Sequence, residues 1–134
     1  MVQPLILVTG ATGKTGAAVV NRLLEQEVPV RALVHRRDAR SAGFERRGVE
    51  VVAADMFDPD QLLDALRGVQ RAYYLPFFHT HMIQSTVAFA LAARQARLEA
   101  IVHMGQCAYS DDAARVFQPS SARRSNLMAP TIPS

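Results

Sequence analysis

The sequence predicts an α/β fold, a doubly wound parallel sheet of about five strands in the order 3-2-1-4-5. Two observations predict it. Short apolar runs alternate along the chain with longer patterns of helical period. Between the first run and the first helical pattern lies Gly10-Ala11-Thr12-Gly13-Lys14-Thr15-Gly16, a turn carrying three glycines. Such alternation implies parallel strands, right-handed crossovers and helices on both faces. With that strand order a crevice opens between strands one and four.

Residues 5–8 are the first strand. Residues 15–26 are the first helix, with Val19, Val20, Leu23 and Leu24 on its inward face. Residues 28–34 follow as strand two, with Pro29 confined to its very start because proline cannot donate to a ladder. Asp38 is placed to cap helix two, which runs to about Arg47 and stops at Gly48. Residues 49–53 make strand three. Asp58 or Pro59 opens helix three, which buries Leu62, Leu63 and Leu66 and stops at Gly68. Residues 72–75 make strand four, residues 82–97 an alanine-rich fourth helix, and residues 100–104 strand five. After Gly105 the periodicity is lost amid Pro119, Ser120-Ser121, Arg123-Arg124, Pro130 and Pro133. The expected division is therefore a folded domain over residues 1–108 and an irregular or loosely ordered tail over 109–134, too poor in spaced apolar residues to offset its ordering entropy.

The glycine turn has the position and chemistry of a diphosphate cradle. Gly10 turns the chain off the strand, Gly13 leaves room for a phosphate to approach the backbone, and Gly16 lets the helix lie close on the strand. The free N–H groups and positive dipole end of the helix then face the anion. Gly13-Lys14-Thr15 also looks like the end of a nucleoside-triphosphate loop, but that loop needs a glycine where Val8 stands, and this turn is too short to wrap a triphosphate. The spacing and threonines of Val8-Thr9-Gly10-Ala11-Thr12-Gly13-Lys14-Thr15-Gly16 resemble the extended and atypical short-chain dehydrogenase/reductases, and within them the NmrA-like group, over about residues 3–105. The resemblance implies a Rossmann-like, NAD(P)-binding domain, of a kind found both in redox enzymes and in cofactor-sensing regulators. It fades in the tail, so the sequence reads as a shortened form of a longer reductase-like protein.

Several positions are assigned to the cofactor. Gly10, Thr12, Gly13, Lys14, Thr15 and Gly16 surround the pyrophosphate. Arg36 and Arg37 lie at the end of strand two, where an acid would accept from a ribose 2′-hydroxyl and an arginine pairs with a 2′-phosphate. The expected cofactor is NADP, with NAD as the alternative, and Asp38 is read as a helix cap rather than a ribose ligand. The resemblance implies that Asp55 and Met56 border the adenine, Asp55 accepting from its exocyclic amine and Met56 covering the ring. Leu75 and Pro76 are candidates for backbone contact near the nicotinamide. Phe77 and Phe78 are either an apolar wall over the ring or ordinary packing residues.

Composition narrows the rest. A chain of 134 residues, 49% hydrophobic, is one domain with a real core. The formal charge of +3 is mild, its arginines are scattered, Lys14 is the only lysine, and no nucleic-acid-binding motif accompanies them. One cysteine, Cys107, excludes an internal disulfide and a thiolate cage, and suits a reducing cytoplasm. No apolar run reaches membrane-spanning length, and Met1-Val2-Gln3-Pro4 lacks the order of a signal peptide.

Catalytic residues are not assigned. The resembled superfamily uses a Tyr-x-x-x-Lys pair, but Tyr109 is followed four residues later by Ala113 and no second lysine exists. Met104-Gly105-Gln106 replaces the serine expected after strand five. His79 and His81 lie in a loop suited to proton donation. Two histidines without a third ligand do not make a metal site, and none is expected. His103 is read as a hydrogen-bonded core residue, and Cys107 as an unreactive thiol. Three functions remain: an NAD(P)H-binding redox sensor or incomplete reductase; an NADPH-dependent reductase of quinone-like or azo-like acceptors completed by another chain or by missing residues; and an interaction protein, docking to a protein partner or to a second copy of itself through helix four.

Overall fold

The structure is a computed structural model that describes residues 3–76 and 81–105. The strands are β1 (Ile6–Thr9), β2 (Val30–Val34), β3 (Glu50–Ala53), β4 (Arg71–Tyr74) and β5 (Ala100–His103), and they form one parallel sheet in the order β3-β2-β1-β4-β5. Ile6 pairs with Val30 on one side and Arg71 on the other, which makes β1 the central strand. Both sheet faces are covered, so neighbouring residues in a strand enter different cores. Leu7 and Leu33 pack with Leu62, Leu66 and Phe89 on one face. Val8, Ala32 and Val34 pack with Val20 and Phe44 on the other. Helices α1 (Lys14–Glu25) and α2 (Ala39–Arg46) therefore cover one face, and α3 (Pro59–Ala65) and α4 (Met82–Gln95) the opposite one. The change of face between α2 and α3 opens a crevice at the carboxyl ends of β1 and β4.

The helix starts differ in kind. Asp38 caps α2 with a reciprocal pair: its carboxylate accepts from the Arg40 and Ser41 backbone N–H groups, and Ser41 Oγ accepts from its own N–H. Asp58 caps α3 by accepting from Asp60 and Gln61, with Pro59 as the first helical residue. At α1 the cap position is Gly13, no side chain caps the first turn, and no acidic residue lies in it.

Helix ends explain the boundaries that sequence placed imperfectly. Gly48 and Gly68 carry positive φ beyond α2 and α3, as glycine stop signals should. Beyond α1 and α4 the same left-handed turn is made by Glu27 (φ 58°) and Arg97 (φ 57°), without a glycine to announce it. Helix α4 accordingly ends at Gln95, two residues before the expected Arg97.

Two burial expectations are corrected. Leu63 is only partly buried, because Leu62 and Leu66 already occupy the inward side of α3. His103 is exposed along with the rest of β5, which is an edge strand among the described residues, and the His103 ring lies on Tyr74 with centroids 5.5 Å apart. Leu7, Val8 and Val20 are fully buried, as expected of the central strand and the first helix. The predicted tail of residues 109–134, with Cys107, Tyr109 and Gln106, lies outside the described residues, as do Phe77, Phe78 and His79.

Candidate functional site

Gly10 leaves β1 with φ +60°, and a Cβ there would meet Leu75 Cδ2 at 3.3 Å. Its carbonyl accepts from Gly13 N–H at 3.0 Å, closing the turn. Gly16 fits beneath that carbonyl so closely that a Cβ would lie 2.0 Å from the Gly10 oxygen. The turn and the first helical turn are thus locked together by backbone contact, and only glycine at position 16 permits it. Gly13, Lys14 and Thr15 lie exposed at the mouth of this lock.

Beside the turn is a cavity of about 280 Å³. Its apolar floor is Leu33, Val34 and Met56, its near rim Gly10 and Thr12, and its polar wall His35, Arg36, Asp38 and Arg40. A second cavity of about 270 Å³ opens beyond β4 and β5. Pro76, Met82, Ile83, Val87 and Gly105 give it an apolar lining, with Thr86 and His103 as its polar members. Leu75, next to Gly10 in space and to Pro76 in sequence, is fixed by Thr9. Buried Thr9 Oγ1 accepts from the Leu75 N–H at 2.8 Å and donates to its carbonyl at 3.4 Å. Tyr74 is held behind the second cavity by Thr86 Oγ1 at 2.9 Å and by stacking on Phe89 at 4.4 Å.

Most of the residues singled out by sequence converge here. Gly10, Thr12, Arg36 and Met56 line the first cavity, and Pro76 lines the second. Gly13, Lys14, Thr15 and Gly16 form the start of α1. Arg37 is turned elsewhere: it donates to Glu45 Oε1 at 2.6 Å and to the Val51 carbonyl at 2.9 Å, tying α2 to β3. Asp55 folds its carboxylate back onto the Phe57 N–H at 2.9 Å and is absent from the cavity lining. His81 meets Phe57 edge-on at 6.1 Å and lines neither cavity.

Sequence reasoning missed Thr9, His35, Asp38 as a wall residue, and Arg40. Arg40 had a readable signal, since an arginine two residues beyond a helix cap lies near the end of the preceding strand. Its Nε and Nη2 donate to Asp38 Oδ2 at 3.0 and 2.8 Å, and its Nη1 reaches the Thr12 carbonyl at 3.5 Å. The Ser41 N–H and then Arg40 hold the Asp38 carboxyl below its ordinary value.

The residues present suit a dinucleotide. The uncapped, acid-free start of α1 offers N–H donors to an anion. Apolar Met56 beside Leu33 suits a flat ring, and two arginines, Arg36 and Arg40, line the polar wall. Among the described residues, no cluster of three or more His, Cys, Asp or Glu side chains could hold a metal ion. No helix there is long and apolar enough to cross a membrane.

The family model of the NmrA-like family matches residues 3–114. This chain belongs to the NmrA-like family. Among its relatives, the NmrA-like chain is 35% identical over 98 residues to the NAD(P)H azoreductase of Xenophilus azovorans, a match covering 73% of this chain and 34% of that protein. Its fold superposes with a TM-score of 0.71 on the Citrobacter sp. triphenylmethane reductase complexed with NADP(H), at 31% identity, covering 83% of this chain and 42% of that one. It also superposes with a TM-score of 0.68 on an NADPH-dependent quinone oxidoreductase of Escherichia coli complexed with NADPH, at 27% identity, covering 73% and 35%. The chain thus spans less than half the length of these NmrA-like relatives.

Proposed function

We propose that this chain is the NADP(H)-binding unit of an NmrA-like redox protein, with Gly10, Thr12, Gly13, Lys14, Thr15 and Gly16 around the pyrophosphate. The observation that carries the reading is the uncapped start of α1, opening beside a cavity whose polar wall includes Arg36 and Arg40. Relatives described as azo, triphenylmethane and quinone reductases support a redox role. When bound, NADPH supplies a hydride to an acceptor. The protein's own residues orient and shield. Met56 would support the adenine, the Thr9 hydroxyl fixes the Leu75 backbone beside Gly10, and Pro76, Met82 and Val87 give the second cavity a wall that excludes water. Asp55 takes a supporting role, fixing the loop that presents Met56.

A second reading is a sensor, since Tyr109 has Ala113 four positions on and so makes no Tyr-x-x-x-Lys pair. In the reductase reading, acceptors that water can protonate, such as quinone-like or azo-like molecules, remove the need for that pair. Turnover of NADPH with a quinone panel, well above that of a Gly13→Val variant, decides for the reductase.

Thermal unfolding with NADPH and NADH tests the cofactor. NADPH at about 100 times its Kd adds ~2.7 kcal/mol to stability, which raises Tm on the order of 10 °C in a domain of this size. Gly13 has φ −80° and ψ 171°, extended backbone that valine also adopts. A Cβ there would lie 3.3 Å from the Gly10 carbonyl oxygen, so the turn must give by a few tenths of an ångström; with a circular dichroism melt showing Gly13→Val folded, its branched side chain blocks the phosphate approach and the NADPH shift should vanish. A shift that survives in Gly13→Val overturns the placement.

A further inference from the structure

We propose that the β5 edge is the interface of a two-fold homodimer, in which β5 pairs antiparallel with β5 of a second copy and the apolar stripe of α4 meets the same stripe across the axis. The inference does not depend on the cofactor reading.

Phe57 apart, every large apolar side chain left exposed among the described residues lies at this edge: Ile83, Val87 and Leu91 on α4, Ile101 and Val102 on β5, and Met104 just beyond. An edge strand turns alternate N–H and C=O groups outward, and it is ordinarily blunted by charge, proline or a covering segment. The opposite edge, β3, opens with Glu50, ion-paired to Arg31. By contrast, β5 is Ala100-Ile101-Val102-His103, with no acid, lysine, arginine or proline. The exposed side of α4 is likewise uncharged from Ile83 through Gln84, Val87, Ala90 and Leu91, and Arg94 is its first charge. The exposed sides of α1 and α3 carry Arg22 and Glu25, and Asp60 and Asp64. An uncharged surface has nothing to repel its own copy, and a two-fold sets like against like.

The alternation of faces fixes where the axis passes. Ile101 pairs with Ala72 and His103 with Tyr74, which belong to the core under α3 and α4. Val102 pairs with Tyr73, on the other face. Residues directly opposite in an antiparallel pair point to the same side of the sheet. With α4 of both copies on one side, the axis therefore passes through Ile101 or through Val102, not between them. Centred on Ile101, it sets Val102 against Ala100 of the second copy, large against small. It also brings Glu99, just before β5, level with His103 of the second copy, a carboxylate facing an N–H donor. Glu99 lies 3.5 Å from Arg71 with both side chains more than half exposed, so its carboxylate has room to turn. Centred on Val102, the axis would carry Glu99 past the end of the paired strands. Charge and size thus both favour Ile101.

Sedimentation equilibrium on the full chain tests this. A patch this small predicts a dissociation constant of about 10–100 μM, so the mass should double as concentration rises through that range. Dilute melts therefore report the single chain. Ile101→Lys sets two ammonium groups face to face at the axis and should weaken the dimer about tenfold or more. Ile101 is 42% exposed, so the variant should fold, which a circular dichroism melt checks. Ile101→Glu should weaken it likewise. An equimolar mixture of the two variants should dimerise again, because an axis through position 101 sets lysine against glutamate. A wild type that stays monomeric overturns the dimer and leaves the edge to another occupant, and an open-ended series of larger species overturns the two-fold. A dimer that survives unweakened in Ile101→Lys places the interface elsewhere and overturns the proposal. Two monomeric variants that do not associate when mixed overturn the axis through Ile101.

Discussion

Thr9 shows how much one side chain contributes without touching a ligand. It is fully buried at the end of the central strand, and its hydroxyl serves both the N–H and the carbonyl of Leu75 across the crevice. Thr9→Val preserves shape but leaves the Leu75 N–H unpaired, which costs about 1–3 kcal/mol when such a group is buried. Urea unfolding should show that loss, and NADPH affinity should fall with it because Leu75 packs against Gly10 of the glycine turn; unchanged stability would mean water replaces the hydroxyl. At this scale the sequence was legible where backbone geometry dictates the residue. Gly10 at φ +60° and Gly16 beneath a carbonyl admit little else, so their spacing could be read directly. Arg36, Arg37 and Arg40 were not separable that way. Which guanidinium enters the cavity depends on how the chain turns from β2 into α2, and Glu45 and Val51, which capture Arg37, are brought near only by folding.

Helix starts were readable and two helix ends were not. Asp38 and Asp58 announce α2 and α3 because a short acidic side chain satisfies first-turn N–H groups. Glu27 and Arg97 hold left-handed conformations that cost an L-residue about 1–2 kcal/mol relative to glycine. Glu27→Gly should therefore raise Tm by a few degrees, the relieved strain exceeding the added chain entropy of the unfolded state. Calorimetric melting checks it, and a lowered Tm would show that Glu27 makes a compensating contact. A second element depends on tertiary contact. Arg31 on β2 donates to the carbonyls of Ala65 and Arg67 at 2.7 and 2.6 Å, closing the end of α3. Its Nε also lies 2.9 Å from Glu50 Oε2, an ion pair whose alignment falls short of a hydrogen bond.

Across the whole molecule the two sheet faces are buried unequally toward one edge. On α4, Ile83, Val87 and Leu91 stand four residues apart and more than half exposed, at 61%, 51% and 55%. Ile101 on the same sheet face, Val102 on the opposite one and Met104 just beyond are exposed along the same edge of the described molecule. An apolar edge of this kind lowers solubility. Val87→Lys with Val102→Lys should raise the solubility limit and change Tm by no more than a few degrees, because neither side chain is buried. Light scattering and a melt together check this, and a large loss of Tm would show that these residues are packed in solution.

By itself the sequence determined the order of elements, the strand order 3-2-1-4-5 and the glycine cradle, because these follow from local periodicity and from backbone shapes that few residues permit. Only the tertiary structure decided that Arg40 joins Arg36 while Arg37 leaves, that Thr9 holds Leu75, and that His103 lies open rather than in a core. Those outcomes rest on partners distant in sequence, and no local pattern encodes which of several similar side chains reaches a distant partner first.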